Sequence, residues 1–493
     1  VYGGSQQSPD VVVFTATNDG YVHAIDGSTG QELWAFVPRE HLSKMTKLFF
    51  NPESAFKNYG VDGDIVPVTK DVDRDGVIEP GDGDFVYILF GMRRGGDSYY
   101  ALDVTNRNSP RIKWRISSPE MGESWSRPTV ARVAMNDNRL NSDEAVVILG
   151  GGYDTTHDTI GHPTMPDTEG AGIYFLDLQS GEVLWRAGTD GPAQLTLSGM
   201  TRAIPNQVRV IAFNGDSYAD RMYASDLGGQ IWRFDIFNGK SPNGIGADAL
   251  VAGGVIAQVG AEGMSNPSDV DTRRFYNAPD ISIFNDNIQN RRFLAINIGS
   301  GYRAHPLDNT NADRFYSIRD KDVFNKLSQS DYNTYSVVKE NNLVEVSGSV
   351  GAKIGSNDRG WKFTLPSDQK VLATSTTFNN EVFFVAFSPD AAAASSCSAG
   401  RGKNYLYRVS IVNGDPIADL DNVVDGTEDQ LRVQDLAQGG IAPSPQFLFP
   451  TADPNCTGDD CNPPPLGCIG VECFDPGFTN NPVRTLWTQD GIE

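Results

Sequence analysis

The sequence predicts an all-β fold, a modified β-propeller of about seven blades with long insertions between some strands. The first observation behind this prediction is a strand–turn–strand pattern that recurs along the chain. The second is the number of turn-forming residues, 51 Gly and 28 Pro among 493 residues. The third is the presence of 25 Phe and 17 Tyr, because aromatic residues favour strands over helices.

The repeat is clearest in two copies. Residues 24–34 read Ala-Ile-Asp-Gly-Ser-Thr-Gly-Gln-Glu-Leu-Trp, and residues 175–185 read Phe-Leu-Asp-Leu-Gln-Ser-Gly-Glu-Val-Leu-Trp. Looser copies lead from Asp103 to Trp114 and from Asp226 to Trp232, with fainter ones at residues 315–318 and 405–409. In such a unit the Asp bonds turn amides, the Gly supplies a positive φ, and the Trp packs on the neighbouring unit.

The arrangement of these units favours a propeller over unrelated hairpins in two sandwiches. One hairpin cannot bury its own apolar face, whereas several hairpins around an axis can. We assign the propeller to residues 1–450 and expect long insertion loops at residues 154–170 and 242–273. Residues 451–483, rich in Pro, Asp and Cys, are predicted to form a disulfide-stapled tail, and residues 484–493 are a candidate closing strand.

Four of the five cysteines lie in that tail, as two Cys-x4-Cys pairs, Cys456 with Cys461 and Cys468 with Cys473. Zinc sites more often use Cys-x2-Cys pairs, so the spacing favours local disulfides over a metal. Disulfides in turn indicate export from the cytoplasm. Cys397 is left over and is expected to be a free thiol in a loop.

The net charge of −23 predicts that the surface repels nucleic acid and anionic lipid and concentrates cations. We find no run of about 18 apolar residues, so we predict that the chain is not an integral membrane protein. The chain begins at Val1 without the basic and apolar regions of a signal peptide. We therefore expect it to be a mature or trimmed piece of a longer protein.

Residues 71–82 carry the most specific chemical motif, Asp-Val-Asp-Arg-Asp-Gly-Val-Ile-Glu-Pro-Gly-Asp. Calcium takes six to eight oxygen ligands from a loop that wraps around it. The predicted ligands are the side chains at positions 1, 3, 5, 9 and 12 and the carbonyl at position 7: Asp71, Asp73, Asp75, Glu79, Asp82 and Val77. Apolar strands, not helices, flank this EF-hand-like loop, and the alternative to a metal site is a solvated acidic turn.

A second loop has the same alternation of oxygen-bearing residues. Its predicted ligands are Asn214, Asp216, the carbonyl of Tyr218, and Asp220. Position 1 is Ala212 and position 6 is Ser217, so one ligand and the turn glycine are missing. A working site and a plain β-turn both remain open here.

We find no motif of a serine hydrolase, a P-loop or a dinucleotide-binding fold, and the prediction is that the protein is not an enzyme. His157 and His162 lie close in sequence, together with Asp154 and Asp158. This group could bind a transition metal, but an exposed polar insertion is the simpler interpretation.

Five stretches taken together resemble the C-terminal domain of the PilC/PilY family of type IV pilus tip adhesins: residues 91–105, 126–128, 150–153, 173–177 and 220–235. The resemblance covers residues 1–235 and extends more faintly to residue 450. It implies a modified β-propeller at the pilus tip or on the outer membrane of a bacterium, exported through the periplasm. Members of this family support pilus assembly, counter retraction, and mediate adhesion and surface sensing.

The same resemblance implies minor pilins and a host or abiotic surface as partners, and calcium as the bound cation. In the family, the calcium loop precedes an Asp-Arg-x-Tyr stretch, which corresponds here to residues 220–223. Carried over by residue, the ligands are Asn214, Asp216, Tyr218 and Asp220, with Ala212 in place of the family's first Asp. Residues 71–82 are then either the principal site or an additional one.

Two other classes of function remain open. The repeat also resembles that of pyrroloquinoline-quinone dehydrogenases, which are calcium-dependent propellers. However, only the copy at Asp26 fits that pattern fully, and the adjacent Cys-Cys pair is absent. The third class is a calcium-independent scaffold like the outer-membrane assembly propellers, against which the acidic loops argue.

Overall fold

The protein is described from a computed structural model of the chain. The structure describes residues 1–493 except 6–7, 51, 54–56, 136–144, 160, 190, 192, 263, 287–290, 349, 390–400, 418–431, 451–463 and 478–493. Within the described residues, strands dominate and the two α-helices are short, α1 (Met45–Phe50) and α2 (Gln329–Asn333). Neither helix is long and apolar enough to cross a membrane.

The strands form successive sheets in chain order. A short hairpin comes first: β1 (Gly3–Ser5) and β2 (Ser8–Asp10). The first sheet contains β3 (Val12–Ala16), β4 (Val22–Asp26) and β5 (Glu32–Phe36). The second contains β6 (Ile65–Lys70), β7 (Phe85–Phe90), β8 (Tyr99–Asp103) and β9 (Arg111–Ile116).

The third sheet contains β10 (Thr129–Arg132), β11 (Ala145–Gly150), β12 (Gly172–Asp177), β13 (Val183–Gly188) and β14 (Leu195–Thr196). The fourth contains β15 (Arg209–Ile211), β16 (Arg221–Ser225), β17 (Gln230–Ile236) and β18 (Val251–Gln258). The fifth begins with β19 (Asp280–Asp286), β20 (Arg291–Gly299) and β21 (Arg314–Asp320). Among the strands given so far, neighbours within a sheet pair antiparallel, except β13 and β14, which are parallel.

The following segment completes two earlier sheets. Strand β22 (Val338–Lys339) joins the fourth sheet, and β23 (Val344–Glu345) and β24 (Gly360–Thr364) join the fifth. The sixth sheet contains β25 (Lys370–Val371), β26 (Thr376–Phe378), β27 (Glu381–Ser388), β28 (Lys403–Ser410) and β29 (Val433–Leu436). The seventh contains β30 (Gln446–Leu448), β31 (Leu466–Ile469) and β32 (Glu472–Phe474). Seven sheets of three or more strands thus run through the described residues, while the number of blades stays a prediction.

Short 3₁₀ turns lie in the connections between strands. They span Arg39–His41, Pro80–Asp82, Thr155–Asp158, Gly246–Asp248, Asp269–Asp271 and Glu340–Asn342.

The turns of the repeat have the predicted hydrogen bonds. Asp26 accepts the backbone N–H groups of Ser28 at 3.0 Å and Thr29 at 2.9 Å. Asp177 accepts those of Gln179 at 2.9 Å and Ser180 at 2.7 Å. The glycine that follows in each copy is left-handed, with φ of 71° at Gly30 and 74° at Gly181.

Two of the repeat tryptophans, Trp34 and Trp114, reach into the next sheet, as predicted, whereas Trp232 donates to Asp226 of its own hairpin. The indole N–H of Trp34 donates to the carbonyl of Arg107 in the second sheet at 2.9 Å. Trp114 of the second sheet donates in the same way to Leu178 of the third at 2.8 Å. The core lies in the layers that these contacts help to form between neighbouring sheets.

Each of those layers is an apolar cluster shared by two consecutive sheets. Between the first and second sheets, Val22 and Ala24 pack with Ile88 and Leu102. Comparable clusters join the following pairs of sheets up to the seventh. Because the second to sixth sheets each bury both faces against their neighbours, none of them forms its core alone.

One predicted insertion loop is partly wrong. Residues 242–273 contain strand β18, which pairs with β17. Gly253 and Gly254 interrupt the strand pattern in the sequence, but close packing around β18 requires glycine at both positions. A Cβ at Gly253 would lie 2.2 Å from the ring of Phe234, and one at Gly254 would lie 3.1 Å from Tyr332. The described part of residues 154–170 is irregular apart from one 3₁₀ turn, as expected for a loop.

The end of the described chain contributes to the seventh sheet. Strand β30 pairs with β31, so this sheet has strands on both sides of residue 450, the predicted domain boundary. Cys468 and Cys473 face each other across β31 and β32 and form a disulfide. Cys397, Cys456, Cys461 and the candidate closing strand at residues 484–493 lie outside the described residues.

A large cavity, here called the central cavity, lies between the first strands of consecutive sheets. Its volume is about 1580 Å³. Strands β10, β15, β19, β26 and β30 all contribute residues to its wall. Most of these strands are the outermost members of their sheets, so their edges border the cavity.

Candidate metal centre

The two predicted calcium loops occupy equivalent positions in the fold. Residues 71–84 connect β6 to β7 in the second sheet, and residues 212–220 connect β15 to β16 in the fourth. Each loop therefore joins the first strand of a sheet to its second. Arg74 of the first loop and Gly215 of the second both line the central cavity, which places both loops at its rim.

The first half of residues 71–84 wraps around the side chain of Asp71. One carboxylate oxygen of Asp71 accepts the N–H of Arg74 at 2.7 Å, and the other accepts that of Gly76 at 2.8 Å. Asp75 accepts the N–H of Val77 at 2.8 Å. The turn requires a left-handed backbone at Arg74 (φ 63°) and at Gly76 (φ 82°), which explains the glycine at position 6.

The second half is closed by a residue that the sequence motif did not single out, Asp84. Its two oxygens accept the N–H groups of Val72 at 2.8 Å and Glu79 at 2.9 Å. These two bonds tie the start of the loop to its end and lower the pKa of Asp84. The only sequence signal for this role was the position of Asp84, two residues beyond Asp82.

The fold brings the predicted carboxylates of this loop together. Oxygens of Asp71, Asp73 and Asp75 all lie within 4.8 Å of one another, and so do those of Asp73, Glu79 and Asp82. Asp73 belongs to both groups and is exposed to solvent. Among the described residues, these are the two groups of three or more potential metal-ligating side chains.

Like charges at this spacing disfavour ionisation. Repulsion from Asp82 and Asp75 raises the pKa of Glu79. The pKa of Asp73 is also raised, although the N–H of Asp75 favours its charged form, because partial removal from water and the charges of Asp75 and Asp71 outweigh that bond. A cluster of hard oxygen donors with unbalanced negative charge fits calcium. Ligation by the Val77 carbonyl stays a prediction.

The second loop satisfies its side chains internally. Asn214 accepts the N–H of Asp216 at 3.2 Å and donates its amide to the carboxylate of Asp216 at 2.7 Å. The other oxygen of Asp216 accepts the N–H of Tyr218 at 2.8 Å. The guanidinium of Arg132 lies 4.5 Å from the centre of the Tyr218 ring and adds a positive charge beside the loop.

Asp220 already has a cationic partner. One of its oxygens accepts from the ammonium group of Lys326 at 2.6 Å, and the other accepts the N–H of Phe213 at 2.8 Å. The same ammonium group donates to the carbonyl of Ile236 at 2.9 Å. The Asp220 side chain is only 4% exposed. With Ala212 at position 1 and Lys326 on Asp220, this loop fits calcium less well than residues 71–84 do.

The stretch that follows Asp220 has a structural role. Arg221 pairs with Asp235 at 2.6 Å, and Arg233 pairs with Asp320 at 2.9 Å, all four side chains being fully buried. Tyr223 donates its hydroxyl to Asp320 at 2.5 Å. This network joins the fourth sheet to the fifth and accounts for the Asp-Arg-x-Tyr pattern.

The histidines of the insertion at residues 154–170 have separate partners. His157 lies 2.7 Å from Asp167, and His162 lies 3.2 Å from the hydroxyl of Thr272. Asp154 accepts the N–H of Thr156 at 2.7 Å and that of Thr168 at 2.6 Å, which organises the loop. These contacts support a structural role for the insertion.

Comparison with known proteins identifies relatives in type IV pilus systems. A family model described as the PilY1 β-propeller domain matches residues 1–341. The type IV pilus biogenesis factor PilY1 of Pseudomonas aeruginosa is 30% identical over 235 residues, which are 46% of this chain and 17% of that protein. A PilY1 homologue of Xylella fastidiosa is 27% identical over 236 residues, 47% of this chain and 16% of that protein.

The fold has a counterpart among solved structures. The crystal structure of the Pseudomonas aeruginosa PilY1 C-terminal domain superposes with a TM-score of 0.62 and 19% identity, covering 94% of this chain and 91% of that one. Together with the family match, this confirms the predicted modified β-propeller. The chain spans about a sixth of the length of the curated relatives it matches.

Proposed function

The chain belongs to the PilY1 β-propeller domain family, and from that premise we propose that it is a calcium-binding domain of a type IV pilus biogenesis factor. Its place is the bacterial surface, at the pilus tip or outer membrane. There it supports pilus assembly, opposes retraction, and mediates surface attachment and twitching motility. The names of its relatives as pilus biogenesis factors support the pilus role.

The observation that carries the calcium proposal is the gathering of carboxylates in residues 71–84. Asp71, Asp73, Asp75, Glu79 and Asp82 would hold the ion, with the carbonyl of Val77 as a further ligand. The bound ion would supply the positive charge that these carboxylates lack. Asp71 and Asp84 act on the backbone, because both hold N–H groups of the loop and so set its shape.

The loop is connected to the surface of the propeller. The N–H of Ile78 donates to the carbonyl of Tyr2 in the N-terminal hairpin at 3.1 Å. The hydroxyl of Tyr2 in turn donates to the carbonyl of Val104 in the second sheet at 2.7 Å. Ordering the loop therefore changes the N-terminal hairpin and the rim of the central cavity, the surfaces that meet minor pilins or a host or abiotic surface.

The proposed function is not enzymatic. A quinone-dependent dehydrogenase and a calcium-independent assembly scaffold are the competing hypotheses. The carboxylate cluster favours the calcium-binding domain over the scaffold, because unbalanced charge of this density is costly without a cation. A bound quinone would show itself by its absorbance in the purified protein.

The functional test uses the full-length protein in the bacterium that produces it. We expect Asp73→Ala to reduce surface piliation and twitching motility, because the loop can no longer be ordered by calcium. Asp216→Ala is the matched control and is expected to leave both unchanged. Wild-type motility in the Asp73→Ala strain, with normal amounts of the protein, would contradict the proposal.

A further inference from the structure

The wall of the central cavity is positively charged in a strongly acidic protein. The whole chain has 40 Lys and Arg against 63 Asp and Glu. Among the described residues that line the cavity, the balance is reversed, with two aspartates, Asp64 and Asp280, and six arginines. The arginines are Arg74, Arg93, Arg127, Arg132, Arg209 and Arg303.

Four of these arginines act on one another electrostatically, Arg127 on Arg209 and Arg93 on Arg303. The pKa of Arg209 is lowered by its removal from water and by the charge of Arg127, against the attraction of Asp280. The pKa of Arg303 is lowered by removal from water and by the charge of Arg93, against the attraction of Asp62 and Asp64. Guanidinium groups that repel each other at the wall of a cavity form a site for anions.

Some hydrogen-bond donors in the wall of the central cavity are available to a ligand. The side chains of Arg74 and Arg127 make no ion pair or hydrogen bond with any residue that the structure describes. The amide nitrogen of Asn277, which lines the cavity and is buried, also has no partner within the described chain. By contrast, Arg93 is paired with Asp64 at 3.2 Å. An incoming group that accepts hydrogen bonds and carries negative charge would satisfy these donors.

The size and wall of the cavity favour an extended ligand. Its volume of about 1580 Å³ exceeds the roughly 300–1,000 Å³ typical of pockets that enclose small molecules. The arginines are spread along the cavity, from Arg74 and Arg132 at one end of the first strands to Arg93 and Arg303 at the other. Strands β10, β15 and β19 present open edges, to which an extended backbone can hydrogen-bond.

We propose that the central cavity binds an acidic polypeptide segment, with its carboxylates on the arginines and its backbone along the strand edges. This site is separate from the carboxylate cluster of residues 71–84, although Arg74 connects the two. It gives the propeller a way to hold a partner of the same net charge sign as itself, because attraction is confined to the cavity.

The test is the binding of fluorescein-labelled decaglutamate to the 493-residue chain, followed by fluorescence anisotropy. The buffer contains EDTA and low salt, so that the result does not depend on the proposed calcium site and charge interactions are not screened. We expect saturable binding of decaglutamate and none of labelled decaglutamine of the same length. Competition with inorganic pyrophosphate distinguishes a peptide site from a site for small anions.

Arg127→Gln is the informative variant, because its side chain has no partner to lose in the described structure. We expect it to weaken decaglutamate binding by about tenfold, since one charge-assisted contact is removed. Arg111→Gln is the matched control: Arg111 is exposed on β9, outside the cavity, and the same loss of charge there should change affinity by less than about twofold.

Three results would overturn the proposal. They are the absence of decaglutamate binding, equal weakening by Arg127→Gln and Arg111→Gln, and displacement of the peptide by an equal concentration of pyrophosphate. The last result would assign the cavity to a small anion instead of a polypeptide. None of these results bears on calcium binding by residues 71–84.

Discussion

The two acidic loops occupy equivalent positions in the second and fourth sheets, yet they balance their charge in opposite ways. In residues 71–84, the carboxylates lie close together, and the one cationic side chain of the loop, Arg74, lies at the wall of the central cavity. In residues 212–220, the ammonium group of Lys326 donates to Asp220. The side-chain amide of Asn214 and the N–H of Tyr218 donate to the carboxylate of Asp216. On the proposed function, the first loop takes an external cation, whereas the second has the ammonium group of Lys326.

On this proposal, ligand spacing alone does not determine whether a loop needs a metal. Both loops alternate oxygen-bearing residues with others, as calcium loops do. The deciding residue, Lys326, is 106 positions away from Asp220 in sequence. The following predictions test the comparison, from the largest expected effect to the smallest.

Removing the internal cation should destabilise the protein. Lys326→Met leaves Asp220, which is almost fully buried, without its partner. We expect the free energy of unfolding, measured with urea in EDTA, to fall by roughly 3 kcal/mol, because an uncompensated buried charge is costly. Added calcium should restore part of this loss, since the loop then has a place for a cation.

The control for this variant is Lys240→Met. Lys240 pairs with Asp248 at 3.3 Å, but the two side chains are 41% and 82% exposed. Its removal should cost less than about 1 kcal/mol, as for other surface pairs. Equal losses of unfolding free energy in Lys326→Met and Lys240→Met would show that Lys326 stabilises the protein no more than an exposed lysine does.

Weakening the closure of the first loop should weaken calcium binding. Asp84→Asn removes one of the two acceptors that hold Val72 and Glu79. We expect the calcium dissociation constant from isothermal titration to rise by about tenfold, as for other residues that position metal ligands. Asp248→Asn, at an exposed position far from the loop in sequence, is the control and should leave the constant unchanged. An unchanged calcium dissociation constant in Asp84→Asn would show that Asp84 does not position the calcium ligands.

Calcium should stabilise the protein more at neutral than at acidic pH. Without calcium, the pKa values of Asp73 and Glu79 are raised in the folded state, so the folded protein binds protons more tightly than the unfolded chain. This contribution to stability is present below the ordinary carboxylate pKa values of about 4 and is lost as pH rises through the raised pKa values of Asp73 and Glu79. Calcium has the opposite preference, because it binds the ionised carboxylates.

The measurement is the melting temperature in calcium minus that in EDTA, between pH 4 and pH 7. We expect this difference to widen as pH rises, and Asp73→Asn to make it small at every pH. A difference that stays constant with pH in the unaltered protein would mean that calcium acts elsewhere.

The sequence predicted the local features well because they depend on neighbouring residues. The turns at Asp26 and Asp177, the glycine at position 6 of the first loop, and the grouping of Asp71, Asp73 and Asp75 all follow from short spacings. The apolar strands expected on both sides of the first loop are also present, as Ile65–Lys70 and Phe85–Phe90.

The features that were missed depend on packing between distant residues. Lys326 reaches Asp220 from another part of the chain, and the arginines of the central cavity come from five separate segments. Strand β18 was missed because glycine is unfavourable in strands. The close rings of Phe234 and Tyr332 require glycine at positions 253 and 254. Spacing in the sequence contains no signal for such contacts.

The most direct test of the comparison is isothermal titration of calcium into the EDTA-stripped 493-residue chain. The account predicts one site, lost in Asp73→Ala and retained in Asp216→Ala. Two sites in the unaltered chain, or loss of binding in Asp216→Ala with retention in Asp73→Ala, would contradict the claim that residues 71–84 need an external cation while residues 212–220 carry their own.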